Sequence, residues 1–241
     1  VESHSNVLIP ELSEAQTNAY NDINKAFVSG KAALIQGVTG SGKTEIYVCL
    51  AHDALKKGRN VLYMVPEIAL SRQLEERLES HFGDSLLTFH SAQTSKQKRD
   101  IAEKLRNPER KRSYIILGTR SSVFLPHNNL GLVIIDEEHD SSYKQDSPAP
   151  RYHGRDTALM LARLHGADVV MGSATPSLES LYNCRCGKHA LIELNERYHG
   201  SESSDIEIID TKAERRKRGM RGSFSIKLIE HIRRTLEAGR Q

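Results

Sequence analysis

Gly37-Val38-Thr39-Gly40-Ser41-Gly42-Lys43-Thr44 is the stretch that decides how this chain is read. It fits G-x-x-x-x-G-K-[ST], and its flanks are those the motif requires. The apolar run Ala32-Ala33-Leu34-Ile35-Gln36 precedes it, and a helical pattern from Lys43 to about Lys57 follows. Glycines let such a loop wrap backbone N–H groups around a phosphate, and the helix N-terminus adds the positive end of its dipole. Lys43 is then placed to neutralise β/γ-phosphate charge and the Thr44 hydroxyl to ligate Mg²⁺, with Gly37, Thr39, Gly40, Ser41 and Gly42 completing the cradle. A chance match in a chain of this length is on the order of one per cent. ATP or another nucleoside triphosphate is the expected ligand.

The same alternation of strand and helix extends to both sides. Ala15, Ala19, Ile23 and Phe27 recur at helical spacing from Leu12 to Phe27, with Ser13 as N-cap and Gly30 beyond the end. Strands are expected at Asn60–Val65, stopped by Pro66, and at Leu86–Phe89, Tyr114–Leu117, Leu132–Ile135 and Asp168–Met171. Helices are expected at Ile68–Ser80, Ser95–Arg106 and Gly154–His165. Nearly continuous apolar strands alternating with helices argue for a parallel sheet covered on both faces. The reading is an α/β doubly wound domain over residues 12–183, behind an N-terminal extension of residues 1–11.

After that the pattern changes. Leu191–Leu194 and Ile206–Ile209 read as strand pieces around the polar stretch Glu196–Asp205. The basic run Lys212–Arg221 reads as a solvated linker, and Ser225–Ala238 as an amphipathic helix. Residues 184–241 are therefore expected to be a connecting segment leading to a second domain beyond this chain.

Bulk composition excludes more than it assigns. The 241 residues carry 34 basic and 31 acidic side chains, a net charge of +3 that reveals no nucleic-acid binder by itself. No apolar run approaches the roughly 20 residues needed to cross a bilayer, and the start shows no secretory signal. Cys49, Cys184 and Cys186 are too few and too unevenly placed for a disulfide framework, which points to a reducing cytoplasm. The C-x-C pair has no second pair, so no zinc site is expected in this chain.

A phosphate loop needs an acidic partner at the end of a neighbouring buried strand. Leu132-Val133-Ile134-Ile135-Asp136-Glu137-Glu138-His139 supplies it. Asp136 would hold the magnesium and Glu137 would orient or deprotonate the attacking water, which makes Lys43, Asp136 and Glu137 the candidate catalytic groups.

Asp136-Glu137-Glu138-His139 resembles motif II of superfamily 2 helicases, and further blocks then fall into register. Gly172-Ser173-Ala174-Thr175-Pro176 resembles the motif that links hydrolysis to movement. Val65-Pro66-Glu67-Ile68-Ala69-Leu70 and Gly118-Thr119-Arg120-Ser121 resemble the two that contact the single-strand backbone. Gln16 stands where the family places a glutamine that reads adenine, and the resemblance adds Glu138 and His139 to the nucleotide site. The finer wording, with Ser141-Ser142-Tyr143-Lys144-Gln145 and Gly172 to Ser180, is similar to the primosomal protein N′ (PriA) family over nearly all of residues 12–180. That resemblance implies a RecA-like P-loop NTPase lobe using ATP and Mg²⁺, and 3′-to-5′ unwinding at stalled replication forks followed by primosome assembly. The implied partners are single-stranded and branched DNA, primosome proteins and single-stranded-DNA-binding protein, in a bacterial cytoplasm.

DNA-contacting or coupling residues implied by the resemblance are Pro66, Glu67, Thr119, Arg120, Ser173, Ala174 and Thr175. After motif II, Tyr143, Lys144, Gln145, Arg151, Tyr152 and Arg155 interleave aromatic and basic groups, which suits stacking on bases and holding phosphates. Pro148 and Pro150 keep this stretch from becoming helix. The family's zinc-binding cysteines and arginine finger belong to a second lobe, so this chain alone is expected to bind nucleotide, hydrolyse it slowly and unwind nothing. Two other readings stay open: a superfamily 2 motor working on RNA or in transcription-coupled repair, and a non-catalytic nucleotide-binding module.

Overall fold

Ser13 begins the first helix as expected: its hydroxyl accepts the Gln16 N–H while the Gln16 side chain accepts the Ser13 N–H, a reciprocal cap that opens α1 (Glu14–Val28). A computed structural model describes residues 9–38, 40–106, 112–194 and 207–239. The chain divides into two compact units, Val1–Gly200 and Ser201–Gln241.

The first unit is built on β1 (Ala32–Gly37), β2 (Asn60–Met64), β3 (Leu86–Phe89), β4 (Ile115–Gly118), β5 (Leu130–Ile135), β6 (Asp168–Ser173) and β7 (His189–Leu194). They pair in the order β3-β4-β2-β5-β6-β1-β7, every pair parallel. Parallel pairing forces crossovers, supplied by α2 (Lys43–Lys56), α3 (Arg72–Phe82), α4 (Ser95–Arg106), α5 (Gly154–His165) and α6 (Leu178–Arg185).

Side chains alternate along each strand, so the apolar runs fill two separate cores. On one face Ile35, Tyr63, Leu117 and Ile134 pack with α1, α2 and α3 through Ile23, Tyr47 and Leu78. On the other Leu34, Met64, Ile116 and Ile135 pack with α4 and α5 through Ile101, Leu105, Ala158 and Ala162. The α/β parallel sheet and its P-loop lobe are thus as the sequence predicts. The C-terminal ends of all seven strands share one edge, and every motif quoted above lies there.

Three local departures have physical reasons. The predicted helix from Ile68 begins instead at Arg72, because Pro66 O accepts the Ala69 and Leu70 N–H groups in a turn and Ser71 then caps α3 by accepting the Leu74 N–H. Helix α6, not expected, starts at Ser177, whose hydroxyl accepts the Ser180 N–H. Beyond residue 183, β7 joins the sheet as an edge strand beside β1.

In the second unit the predicted linker holds a short helix, α7 (Thr211–Arg216), capped by Asp210, then a hairpin of β8 (Met220–Arg221) and β9 (Phe224–Ser225). Helix α8 (Ile226–Glu237) follows with Ser225 as its N-cap. Of the expected strand at 206–209, residues 207–209 are irregular and Ile206 lies outside the described residues, as does the polar stretch 196–205. Among the described residues no helix is long and apolar enough to cross a membrane.

Candidate nucleotide site

The phosphate loop leaves β1 at Gly37 and enters α2 at Lys43. Gly40 and Gly42 have φ of +79° and +82°, a left-handed backbone that a Cβ would strain. Gly42 also lies against Gln16, whose Nε2 donates to Gly42 O at 3.2 Å. The Gln16 amide therefore has one end on the loop and the other in the α1 cap. Gln16, expected to read adenine, is 1% exposed, and its amide braces the loop against the start of α1.

Lys43 is buried, and its Nζ donates to Gly37 O at 2.8 Å and lies 4.0 Å from Glu137 Oε1. Thr44, half-buried, follows it at the start of α2. Ser41 Oγ is buried with no hydrogen-bond partner among the described residues, a polar atom available to an incoming oxygen ligand. Thr39 lies outside the described residues.

Asp136 ends β5 two strands from the loop, with Gly172 and Ser173 of β6 between. Its Oδ1 accepts the Tyr47 hydroxyl at 3.3 Å and the Glu137 N–H at 3.1 Å. Burial, and then the like charge of Glu137, push the Asp136 carboxyl up to about 6 against the opposing pull of Lys43. Two carboxylates thus face one ammonium, a donor set of hard oxygens short of positive charge, which suits a divalent cation such as Mg²⁺. Glu137 has φ +45°, unusual for a residue with a side chain, and the turn aims its carboxylate between Lys43 and His139.

His139 is joined to β6: its Nδ1 is 2.7 Å from Ser173 Oγ and 3.6 Å from Glu137 Oε2. Ser173 Oγ also accepts the Thr175 N–H at 2.9 Å, so it spans from the turn after β5 to the segment carrying Ala174 and Thr175.

Glu138 turns the other way. It is fully buried and accepts Arg155 Nη1 at 2.8 Å, the Ser177 N–H at 2.7 Å and the Ser180 hydroxyl at 2.8 Å. Glu138, expected at the nucleotide, and Arg155, expected on DNA, are partners behind the turn, since neither charge could be buried alone.

The stretch expected to stack on bases is also divided. Tyr143 is 1% exposed and its hydroxyl donates to Asp136 O at 2.7 Å, which makes its ring part of the core. Tyr152 packs edge-on against Phe124, ring centroids 4.8 Å apart. Lys144, Gln145 and Arg151 remain at the surface, Lys144 near Asp146 at 3.5 Å and Gln145 donating to Pro148 O at 2.8 Å. Arg120 donates to Ser142 O at 2.8 Å and Lys144 O at 3.1 Å and lies 3.8 Å from exposed Glu67. Pro66 and Thr119 are buried at the adjoining strand ends.

A family model described as DEAD/DEAH box helicase matches residues 13–184. The chain belongs to this helicase family. Replication restart proteins called PriA are similar along almost all of it. That of Rickettsia felis is 44% identical over 238 residues, 99% of this chain and 35% of that protein. That of Bacillus subtilis is 38% identical over 232 residues, 95% of this chain and 28% of that protein. The resemblance to the primosomal protein N′ family drawn from the motifs is therefore borne out, and the chain spans about a third of the length of the curated relatives it matches.

Among solved structures, RecG bound to a three-way DNA junction superposes with a TM-score of 0.55 at 26% identity, covering 78% of this chain and 24% of RecG. The helicase MrfA bound to DNA shares the fold, with a TM-score of 0.54 at 19% identity over 78% of this chain and 28% of MrfA.

Tyr47 lies at the site outside the motifs read from the sequence, and Gly172, Ser177 and Ser180 lie inside one of them without having been singled out. Only Ser177 carried a local signal, as a serine three residues before Ser180 at the head of an apolar stretch.

Proposed function

We propose that this chain carries the ATP-binding first motor lobe, residues 12–194 with β7 as its edge strand, of a 3′-to-5′ DNA helicase that restarts stalled replication forks and helps to assemble the primosome. The residues beyond β7 lead to the second lobe. The observation that carries the proposal is the meeting of Lys43, Asp136 and Glu137 at one sheet edge, with Lys43 Nζ 4.0 Å from Glu137.

Gly37, Thr39, Gly40, Ser41 and Gly42 cradle the phosphates, and Lys43 offsets the charge that builds on them. Glu137 orients or deprotonates the attacking water, and His139, itself held by the Ser173 hydroxyl, steadies Glu137. Thr44 and Asp136 would hold Mg²⁺, which when bound neutralises charge on the β- and γ-oxygens. Gln16 keeps the loop and the first helix in register.

The DNA track follows exposed Glu67, Lys144 and Arg151 and half-buried Gln145 at the same edge, with Arg120, Tyr152, Pro66 and Thr119 shaping it. Ser173, Ala174 and Thr175 pass movement from the nucleotide to that track. Single-stranded and branched DNA, single-stranded-DNA-binding protein and primosome proteins are the partners, in a bacterial cytoplasm. The second lobe supplies an arginine finger, a contribution of roughly 10³–10⁵ in rate, so the lobe alone turns over slowly.

The test is ATP hydrolysis by the full-length protein on branched DNA, blunt duplex and RNA. Stimulation strongest with branched DNA supports the proposal. Equal or greater stimulation by RNA would move the motor to another helicase branch, and no hydrolysis would leave a nucleotide-binding module.

A further inference from the structure

Three segments that are distant in the chain converge on one carboxylate behind the catalytic turn. Glu138 Oε1 accepts the Ser177 N–H at 2.7 Å. Its Oε2 accepts Arg155 Nη1 at 2.8 Å, Ser180 Oγ at 2.8 Å and Ser177 Oγ at 3.0 Å. Arg155 Nη1 reaches Ser177 Oγ as well, at 2.8 Å, so the four side chains form a closed cluster. Glu138 belongs to the turn that bears Asp136 and Glu137. Arg155 stands in the first turn of α5, where the loop at 141–153 ends. Ser177 caps α6 and Ser180 lies in its first turn, shortly after Ser173, Ala174 and Thr175.

Buried ion pairs are poor stabilisers compared with apolar packing, because both charges lose their hydration. A pair kept at 0% and 7% exposure suits the fixing of geometry better than the gain of stability. The geometry that needs fixing is adjacent: Glu137 has a left-handed backbone, a conformation that persists only where its surroundings over-determine it. On its forward side Glu137 N–H is held by Asp136, and on its rear side Glu138 N–H donates to Gly172 O at 3.0 Å. The Glu138 side chain is the remaining anchor. Burial would raise its carboxyl, yet the Ser177 N–H, Arg155 and the two hydroxyls together hold it below the ordinary carboxylate range.

We propose that Glu138 and Arg155 are a positioning pair that locks the turn carrying Glu137 to the first turn of α5 and to the α6 cap, so that the Glu137 carboxylate stays aimed at the nucleotide site. The role of Glu137 in hydrolysis rests on the helicase reading above. Arg155 then acts on the rate of hydrolysis and not on DNA affinity.

The experiment is steady-state ATP hydrolysis by the full-length protein, with and without single-stranded DNA, alongside the Kd for that DNA. Arg155→Met is expected to lower kcat by about 10–100-fold, the range seen for residues that orient a catalytic shell. KM for ATP and Kd for DNA should stay within about twofold. Arg155→Lys should recover part of the loss, and Glu138→Gln added to Arg155→Met should cost little more than the worse single change, because the pair acts as a unit. Ser180→Ala, which removes one of the four donors, gives a smaller drop in kcat and carries the test if Arg155→Met does not fold.

A raised Kd for DNA with kcat intact at saturation would overturn the proposal and return Arg155 to the DNA track. Lower thermal stability with unchanged kcat and KM would overturn it too. Wild-type hydrolysis indifferent to DNA would sink the helicase reading alone. The ratio of variant to wild-type DNA-independent rates then decides the pair, equal rates counting against it.

Discussion

The two sides of the Asp136–Glu138 turn are made of the same chemistry and are in opposite electrostatic condition. In front, Asp136 and Glu137 share one ammonium, Lys43, and burial with like-charge repulsion pushes Asp136 up to about 6. Behind, Glu138 has an arginine, two hydroxyls and a backbone N–H, and its carboxyl is held low in spite of burial. A buried carboxylate that is fully satisfied fixes structure, and one left short of positive charge marks a place where charge will be bound or moved. Three consecutive acidic residues are thereby sorted into a site and its support.

That contrast can be broken from either side. Glu138→Gln should do the most harm to the fold, about 3 kcal/mol, because it takes the buried carboxylate from Arg155 and leaves that charge only the exposed Asp156, 3.0 Å from its Nε. Urea unfolding of the nucleotide-free protein measures it, and a loss below about 1 kcal/mol would put the pair among surface salt bridges. Lys43→Ala removes the one cation in front and should cut hydrolysis by about 10²–10³-fold, with weakened nucleotide binding seen by titration with a fluorescent ATP analogue. Asp136→Asn should act in the opposite sense to Glu138→Gln. It removes a poorly compensated buried charge and should stabilise the nucleotide-free protein at pH 7.5 by up to about 3 kcal/mol, while abolishing turnover. Destabilisation by Asp136→Asn would erase the front–back distinction.

The smallest expected effect comes from the floor between the two sides. A Cβ at Gly172 would collide with the hydroxyl of Tyr47, which donates to Asp136. Gly172→Ala should therefore cost about 1–3 kcal/mol in unfolding and loosen Asp136. A neutral result would mean that Tyr47 can move aside without consequence.

The front was legible in the sequence because its parts are local: a glycine loop between strand and helix, and carboxylates closing an apolar run. The parallel sheet was legible for the same reason, each strand from β1 to β6 announcing itself by a short, mostly apolar run. The back was not legible. Arg155 and Ser180 lie 17 and 42 residues from Glu138, and nothing in local spacing distinguishes a buried arginine from one facing phosphate. Tyr143 was ambiguous in the same way, since a tyrosine beside lysine and glutamine reads equally as a stacking platform or as a core ring with its hydroxyl satisfied. The start of α3 was placed too early because its capping signal, Ser71, stands directly after Val65–Leu70, a motif read for its resemblance and not for its turn.

The most direct measurement is on Glu137→Gln in the full-length protein, comparing Mg²⁺–nucleotide affinity with the rate of ATP hydrolysis in saturating branched DNA. Affinity within about twofold of wild type, with hydrolysis lower by about 10²–10⁴-fold, is the expected result, since Gln keeps the shape of the turn and removes only the base. Hydrolysis at the wild-type rate would contradict the assignment of the front of the turn as the place where ATP is cleaved.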